Sequence, residues 1–574
     1  MKILLHVLTA LSLYLISQSL IAATPLVEFI SRPESSQFMK PQNSSLLFYT
    51  LRNNTGTAFP LSVSFSSNGA SVSSAGNTCG NAIAGHSTCV LTIQYQAPAN
   101  DTTDRLVINV YYQGRAPLVD AVTFNVDSNI ACVLLNTASY QTPFCQQQYQ
   151  NVIQFTPNVF NVTNQNVTPE QTLGGVFGIY QNHNNGEQIC YISCGLRALN
   201  GTAPNENTLF ELASVTKTLT TSILGKLLYN GTIGSAYDAI APFLPAGYML
   251  GVNESPVTFQ QLATFSGGVC FSDAPSVNQS STNQALNQAN FVMDINGLNP
   301  DPASGPCSNG QANTTPEYTT PPYLPTHNFY SNSSIGLLGQ GLMNIDGFGV
   351  LEPGFNDWMC KNVFNVLGMT QSNACLPGDA RDGTCGAATS ACTYTANWTT
   401  AEYASGYHLN QGTYQPGNPF PFLPWAPAGG IRSNAVDMVK FIRANLGFNT
   451  GNTPEQLQLI QGMMLAHQPN DYLPAPGSPK LNIGSQSPIR GGQGYAWVCM
   501  PSAIGGDRIC GKIGGHKNFR SFLGLNINQH YGVIILFNTG AGSTNGSFNP
   551  ATAPPTVGQI GTNLLEHINK YQAP

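Results

Sequence analysis

Ser214 and Lys217 form the only S-x-x-K of the chain, within Asn207-Thr-Leu-Phe-Glu-Leu-Ala-Ser-Val-Thr-Lys-Thr-Leu-Thr. A serine and a lysine three residues apart on a helix share a face, so the amine can reach the hydroxyl. A serine hydroxyl is a poor nucleophile until a neighbour takes its proton. Near a helix start, free backbone N–H groups and the positive dipole end also favour a developing oxyanion. Each has a plain alternative when taken alone: a serine at a helix start and a solvated lysine.

These side chains need elements to hold them. After Ser214 the apolar residues Val215, Leu219, Ile223, Leu224, Leu227 and Leu228 follow the spacing of an amphipathic helix with one apolar stripe, and Asn230-Gly231 ends the run. Further helical patches fall at Ser334–Asn344, Phe355–Val366, Ala435–Leu446, Pro454–Leu465 and Val557–Tyr571. Strands are expected at Gly174–Tyr180 and Gln188–Ser193, around an Asn-Gly turn, and at Ser521–Ile527 and Tyr531–Phe537. Strands at both ends with helices between predict an α/β or α+β domain over residues 165–574, and its ends must meet if the first and last strands share one sheet. Residues 271–326, rich in Asn, Pro, Ser and Gln, read as a long loop or lid.

Residues 24–128 read differently. Short alternating runs at Leu46–Arg52, Leu61–Phe65, Cys89–Tyr95, Leu106–Tyr112 and Val122–Val126 are separated by Gly, Asn, Pro and Ser. That pattern predicts an immunoglobulin-like β-sandwich acting as a spacer or binding module. Residues 129–164 are left as a connector. Residues 1–23 read as a secretory signal peptide: an early lysine, an apolar run and Ala22-Ala23. A membrane anchor is the rival reading of that run, and no other segment is apolar enough for an integral span.

Export changes how the 14 cysteines read. They fall into sequence neighbours, Cys79/Cys89, Cys132/Cys145, Cys190/Cys194, Cys270/Cys307, Cys360/Cys375, Cys385/Cys392 and Cys499/Cys510, as local disulfides in an oxidising compartment would. The nine histidines form no H-x-x-x-H or Cys/His grouping, so no metal and no cofactor is expected. Charged residues are 8% of the chain, with a net charge of −6 and no basic patch, which excludes nucleic acid as a partner. In a chain this rich in Asn, N-x-S/T triplets arise by chance. Oligomeric state is not legible.

Over residues 165–574 the motifs together resemble those of the serine hydrolases that include class C β-lactamases, D-alanyl-D-alanine carboxypeptidases and family VIII esterases. Phe210-Glu-Leu-Ala-Ser-Val-Thr-Lys-Thr-Leu-Thr resembles the nucleophile motif. Phe329-Tyr-Ser-Asn-Ser-Ser-Ile-Gly-Leu-Leu-Gly matches the Y-x-N motif with its flanks, which selects Tyr330 over Tyr149-Gln-Asn151 and Tyr180-Gln-Asn182, which fit the triplet alone. Gln261-Leu-Ala-Thr-Phe-Ser-Gly-Gly, Val366-Leu-Gly-Met-Thr and Pro427-Ala-Gly-Gly-Ile-Arg-Ser-Asn-Ala-Val-Asp-Met resemble the family segments L-L-T-H-T-S-G-L, P-L-G-M-x-x-T and A-G-G-x-x-S-T-A-x-D-M. Lys512-Ile-Gly-Gly-His-Lys-Asn-Phe-Arg-Ser-Phe aligns with K-T-G and its strand.

The resemblance implies a β-lactamase/transpeptidase-like domain with an antiparallel sheet flanked by helices. It implies Ser214 as the acylated nucleophile, Lys217 and Tyr330 as proton-transfer partners and Lys512 as a cation for the phenolate and for a substrate carboxylate. Asn332, Gly514, Gly515 and His516 would contact substrate, with the amides of Ser214 and Gly515 as the oxyanion hole. Asp437 and Glu211 read as structural, and Arg432 and Lys517 as cleft-lining. Ile513 stands where the family has a threonine that faces the substrate carboxylate, so that hydroxyl is missing. The expected function is a secreted or periplasmic bacterial hydrolase of an ester, a β-lactam or a D-amino-acid peptide, its partner a small-molecule or peptide substrate. A non-catalytic binding protein using the cleft and an adhesin working through residues 24–128 are the rivals.

Overall fold

Alternation between apolar and polar residues builds the N-terminal region, because successive side chains on a strand point to opposite faces. The structure, a computed structural model, describes residues 25–33, 35–127, 131–135, 142–183, 186–244, 257–266, 330–348, 354–374, 403–417, 425–448, 453–468, 492–501, 507–540 and 555–567. The expectations for residues 1–23 and 271–326, for the pairs Cys270/Cys307, Cys360/Cys375 and Cys385/Cys392, and for a helix beyond His567 lie wholly or partly outside these residues. The chain forms two compact units. One takes the described residues of 1–130 and 141–150, the other those of 131–140 and 151–574.

The first unit has nine strands: β1 Val27–Ser31, β2 Ser36–Met39, β3 Ser44–Asn53, β4 Phe59–Ser66, β5 Ser71–Asn77, β6 Ala82–Ile83, β7 Thr88–Gln96, β8 Thr102–Tyr112 and β9 Leu118–Val126. They form two sheets, β1-β3-β7-β5 and β2-β9-β8-β4-β6. Leu47, Tyr49 and Leu51 of β3, Leu91, Ile93 and Tyr95 of β7, and Leu106, Ile108, Val122 and Phe124 of β8 and β9 share one buried cluster. Asp104 is buried beside it and accepts from Tyr95 Oη at 2.7 Å and from the Asn68 amide at 2.7 Å. All five strands expected from the sequence are present. β1, β2, β5 and β6 were not expected. β5 is a mostly exposed Ser-Val-Ser-Ser-Ala-Gly-Asn stretch with no apolar alternation, and it is a strand because it pairs with β7. The Cys79–Cys89 disulfide forms as the spacing suggested.

The second unit carries β10 Cys132–Leu134, β11 Gly174–His183, β12 Gly186–Gly195, β13 Phe210–Glu211, β14 Tyr407–Asn410, β15 Thr413–Pro416, β16 Arg432–Ser433, β17 Gly492–Gln493, β18 Val498–Pro501, β19 Arg508–Gly515, β20 Arg520–Asn526 and β21 Tyr531–Phe537. Eight of them make one sheet in the order β10-β12-β11-β21-β20-β19-β18-β17. β11 and β21 pair antiparallel, Gly175 opposite Phe537, so the first and last long strands do meet. β20 and β21 are buried at every residue because helices cover both faces. On one face a Cβ at Gly178 would meet Val439 and Ala435 of the helix Ala435–Asn445. On the other, a Cβ at Gly561 of the helix Val557–His567 would sit 2.1 Å from the Phe522 ring, so glycine lets helix and sheet close.

Two expectations need correcting. Cys132 bonds Cys194, 62 residues away, which excludes both Cys132/Cys145 and Cys190/Cys194. The reason is β10: it lies antiparallel to β12 with Cys132 directly opposite Cys194, so residues 132–134 are sheet and not only connector. Cys145 and Cys190 are also disulfide-bonded. Cys499 and Cys510 pair as expected, again as direct cross-strand neighbours. The second correction concerns the helix after Ser214, which is buried around nearly its whole circumference rather than on one apolar stripe. Its hydroxyls make that possible. Thr220 and Thr221 donate to the carbonyls of Pro427 and Tyr495 at 2.7 and 2.9 Å, and Ser222 to that of Thr218 at 2.7 Å.

Candidate active site

The nucleophile segment is pinned before the helix starts. β13 pairs with β16, Glu211 opposite Arg432, and the Leu212 amide donates to the carbonyl of Ile431 at 2.9 Å. Ala213 then takes a left-handed conformation, φ 47°, which is strained for a residue with a Cβ. Ser214 lies in a 3₁₀ turn, Ala213–Val215, and the helix proper runs Thr216–Tyr229. The serine and the lysine therefore straddle a helix start, where unpaired amides gather.

Lys217 is fully buried. Its Nζ donates to Ser214 Oγ at 3.0 Å, to Asn332 Oδ1 at 2.6 Å and to the carbonyl of Ala428 at 2.7 Å. Three acceptors match the three N–H bonds of an ammonium. Asn332 opens the helix Asn332–Ile345, whose N-cap Ser331 accepts from the Ser334 amide at 3.0 Å. Tyr330 precedes that cap and donates to Ser214 Oγ at 2.6 Å, with Asn332 Oδ1 at 3.4 Å. The Lys217 and Lys512 nitrogens lie 5.0 and 4.7 Å from the centre of the Tyr330 ring. Burial pushes Lys512 down from 10.5 to about 7, and its Nζ donates to the carbonyl of Ile513 at 3.0 Å. Lys217 and Tyr330 thus contact Ser214 Oγ directly, Asn332 holds Lys217, and Lys512 stands beside the Tyr330 ring.

β19 borders the site. The His516 amide donates to the carbonyl of Phe519 at 3.1 Å, which sets the hydrogen-bonded pairs with β20 at even-numbered residues of β19. The backbone groups of Ile513 and Gly515 therefore point to the opposite edge. There β18 pairs only as far as Gly511, so among the described strands nothing covers residues 512–515. A Cβ at Gly514 would lie 2.2 Å from the Leu212 carbonyl and 3.2 Å from the Ser214 amide, so only glycine permits this backbone approach. A Cβ at Gly515 would meet nothing within 4 Å among the described residues. Ile513 points to the other face: a Cβ at Gly558 would sit 2.5 Å from its Cδ1. Its side chain packs under the terminal helix instead of facing Ser214.

Several residues have roles that the spacing of the sequence did not give. Arg432 is buried, not cleft-lining, and pairs with Glu211 at 3.1 Å. Tyr403 donates to the same carboxylate at 2.7 Å, and His516 Nε2 stands 2.6 Å from its other oxygen. Burial by itself would raise the Glu211 carboxyl, but Arg432, then His516 and Tyr403, outweigh it and hold it at about 2. His516, expected against substrate, thus has its ring engaged by Glu211. Lys517 is exposed beyond it. Asp437 is structural as expected, accepting from the amides of Gln371 and Ser372 at 2.8 and 2.9 Å. The Ala428 carbonyl had no side-chain signal to find it by.

A family model described as Beta-lactamase matches residues 164–552. Among solved structures, a class C beta-lactamase is similar over 70% of this chain and 92% of its own, at 16% identity and a TM-score of 0.47. A class C beta lactamase from Rhodobacter sphaeroides is similar over 69% and 95%, at 18% identity and a TM-score of 0.46. The octameric penicillin-binding protein homologue from Pyrococcus abyssi is similar over 70% and 74%, at 17% identity and a TM-score of 0.49.

Proposed function

The chain belongs to the Beta-lactamase family, and from that premise we propose that it is an exported serine hydrolase that cleaves an ester or amide through an acyl-enzyme on Ser214. The observation that carries this reading is the pair of contacts on one oxygen: Ser214 Oγ has Lys217 Nζ at 3.0 Å and Tyr330 Oη at 2.6 Å.

In the reacting state of this reading Tyr330 is the phenolate, with the Lys217 and Lys512 nitrogens beside its ring, and it takes the Ser214 proton as Oγ attacks the substrate carbonyl. The tetrahedral oxyanion meets the amides of Ser214 and Gly515. Its collapse breaks the bond to the leaving group, and that alkoxide or amine takes the proton held by Tyr330. Water then enters, gives one proton to Tyr330 and attacks the acyl carbon. Release of the acid returns a proton to Ser214 Oγ. Asn332 anchors Lys217, and Lys512 lends positive charge to the phenolate and to an anionic substrate. No metal or cofactor takes part in these steps. Substrates of this chemistry are esters, β-lactams and D-amino-acid peptides.

The first unit is proposed as an immunoglobulin-like β-sandwich that acts as a spacer or binding module, and the domain boundaries as 24–128 and 165–574. Disulfides at Cys79–Cys89, Cys132–Cys194 and Cys499–Cys510 support an oxidising compartment, the periplasm or the medium of a bacterium. Among the described residues no helix is long and apolar enough to cross a membrane. The test is turnover of a short-chain nitrophenyl ester and of a chromogenic cephalosporin by the native protein and by Ser214→Ala. Hydrolysis of either substrate that falls at least about 10³-fold in the variant supports the reading. Equal hydrolysis by both proteins rejects it.

A further inference from the structure

Glu211 lies three residues before Ser214, and His516 follows Gly515, the two residues whose amides the proposed mechanism assigns to the oxyanion. The 2.6 Å contact between Glu211 Oε2 and His516 Nε2 therefore joins the two backbone segments that must be held in register. We propose that His516 is a positioning residue: through its close contact with Glu211 it fixes the end of β19, so that the Gly515 amide converges with the Ser214 amide on the substrate oxygen. This rests on the Ser214 acyl-enzyme reading.

The hydrogen-bond pattern defines how His516 acts. Its Nδ1 accepts from the Asn518 amide at 3.2 Å, so a neutral ring carries its proton on Nε2. That nitrogen is the one 2.6 Å from Glu211 Oε2. Glu211 cannot follow a moving histidine, because Arg432 and Tyr403 hold its other oxygen at 3.1 and 2.7 Å. Arg432 in turn faces Glu211 across the β13–β16 pair. Phe519 packs on the His516 ring at 5.6 Å, on Tyr403 at 6.0 Å and on Phe210 at 6.4 Å, closing the cluster from the apolar side.

The need for such a tie follows from the edge geometry. Among the described residues, 512–515 pair with β20 on one side only, and a strand end held on one side swings more easily than a central one. A Cβ placed at Gly515 meets nothing within 4 Å among the described residues, so no described side chain wedges that residue. Displacement of a catalytic group by about 1 Å costs on the order of 10²-fold in rate.

The experiment measures the second-order rate of covalent labelling by a fluorophosphonate, in which Ser214 displaces fluoride and the phosphoryl oxygen takes the place of the oxyanion. It uses full-length native protein, His516→Ala and His516→Gln, each with a thermal melt. Glutamine keeps an N–H donor for Glu211, and alanine does not. The expected result is a loss of about 10- to 100-fold for His516→Ala and recovery of most of the rate in His516→Gln. Two results overturn the proposal: native labelling rates in a folded His516→Ala, or equal losses in both variants. If His516→Ala does not fold, His516→Met, which keeps the bulk without the donor, takes its place. If the native protein takes no label, the Ser214 reading fails first. If it labels while the variants behave alike, only the role of His516 fails.

Discussion

Tyr330 Oη lies 2.6 Å from Ser214 Oγ, and Lys217 Nζ approaches the same oxygen at 3.0 Å from the helix that begins two residues later. One hydroxyl therefore sits between a phenol and an amine supplied by separate elements. Neither contact would be formed by a serine packed at an ordinary helix start.

Tyr330→Phe tests the division of labour. It removes one oxygen from a half-buried ring and leaves Lys217 with Asn332 and Ala428. Hydrolysis should fall about 10²- to 10⁴-fold, the usual range for a lost acid/base group, while the thermal midpoint stays close to native. A variant that keeps near-native kcat would assign proton transfer to Lys217 alone.

The pH dependence of stability should carry the mark of Lys512. Burial lowers it from 10.5 to about 7, so between those values the unfolded chain binds more protons than the folded one. Stability from this residue therefore rises with pH across that window, and below about 7 the full cost of a buried charge is felt. Denaturant melts at pH 6 and pH 9 should show Lys512→Met gaining on the native protein at pH 6 and losing that advantage at pH 9. A difference independent of pH would mean that Lys512 is not desolvated.

Ala213 holds φ at 47° just before the nucleophile. A left-handed residue with a Cβ costs about 1–2 kcal/mol, and a glycine there gives back roughly 0.4–1 kcal/mol in unfolded-chain entropy. Ala213→Gly should thus leave stability unchanged or raise it by up to about 1 kcal/mol, and Ala213→Val should destabilise. Denaturant midpoints decide between this and an ordinary backbone, at which glycine would be the destabilising change.

Non-reducing peptide mapping checks the architecture without activity. A cross-linked peptide pair containing Cys132 and Cys194 is expected, and it should vanish on reduction. Recovery of Cys132 linked to Cys145 would displace β10 from the edge of the sheet.

The long elements and the three family motifs could be read from the chain because their signals are local. Helical spacing marked Asn332–Ile345 and Ala435–Asn445, and alternation marked β3, β7 and β8. What could not be read depends on partners distant in sequence. β5 has no pattern of its own and exists through β7. Cys132 meets Cys194 because a three-residue strand adds to β12. The Thr- and Ser-rich face of the serine helix looks solvated in sequence, yet its hydroxyls reach carbonyls of distant segments such as Pro427 and Tyr495. Glu211 and Arg432 were visible as single charges, but their pairing with Tyr403 and His516 required the fold.

Intact-mass spectrometry after incubation with a fluorophosphonate, run on the native protein and on Ser214→Ala, tests the central claim most directly. A single mass increment in the native protein, absent from the variant, is the predicted result. A folded native protein that takes no increment, or a variant that takes the same one, would contradict a Ser214 nucleophile and turn the cleft into a non-catalytic binding site.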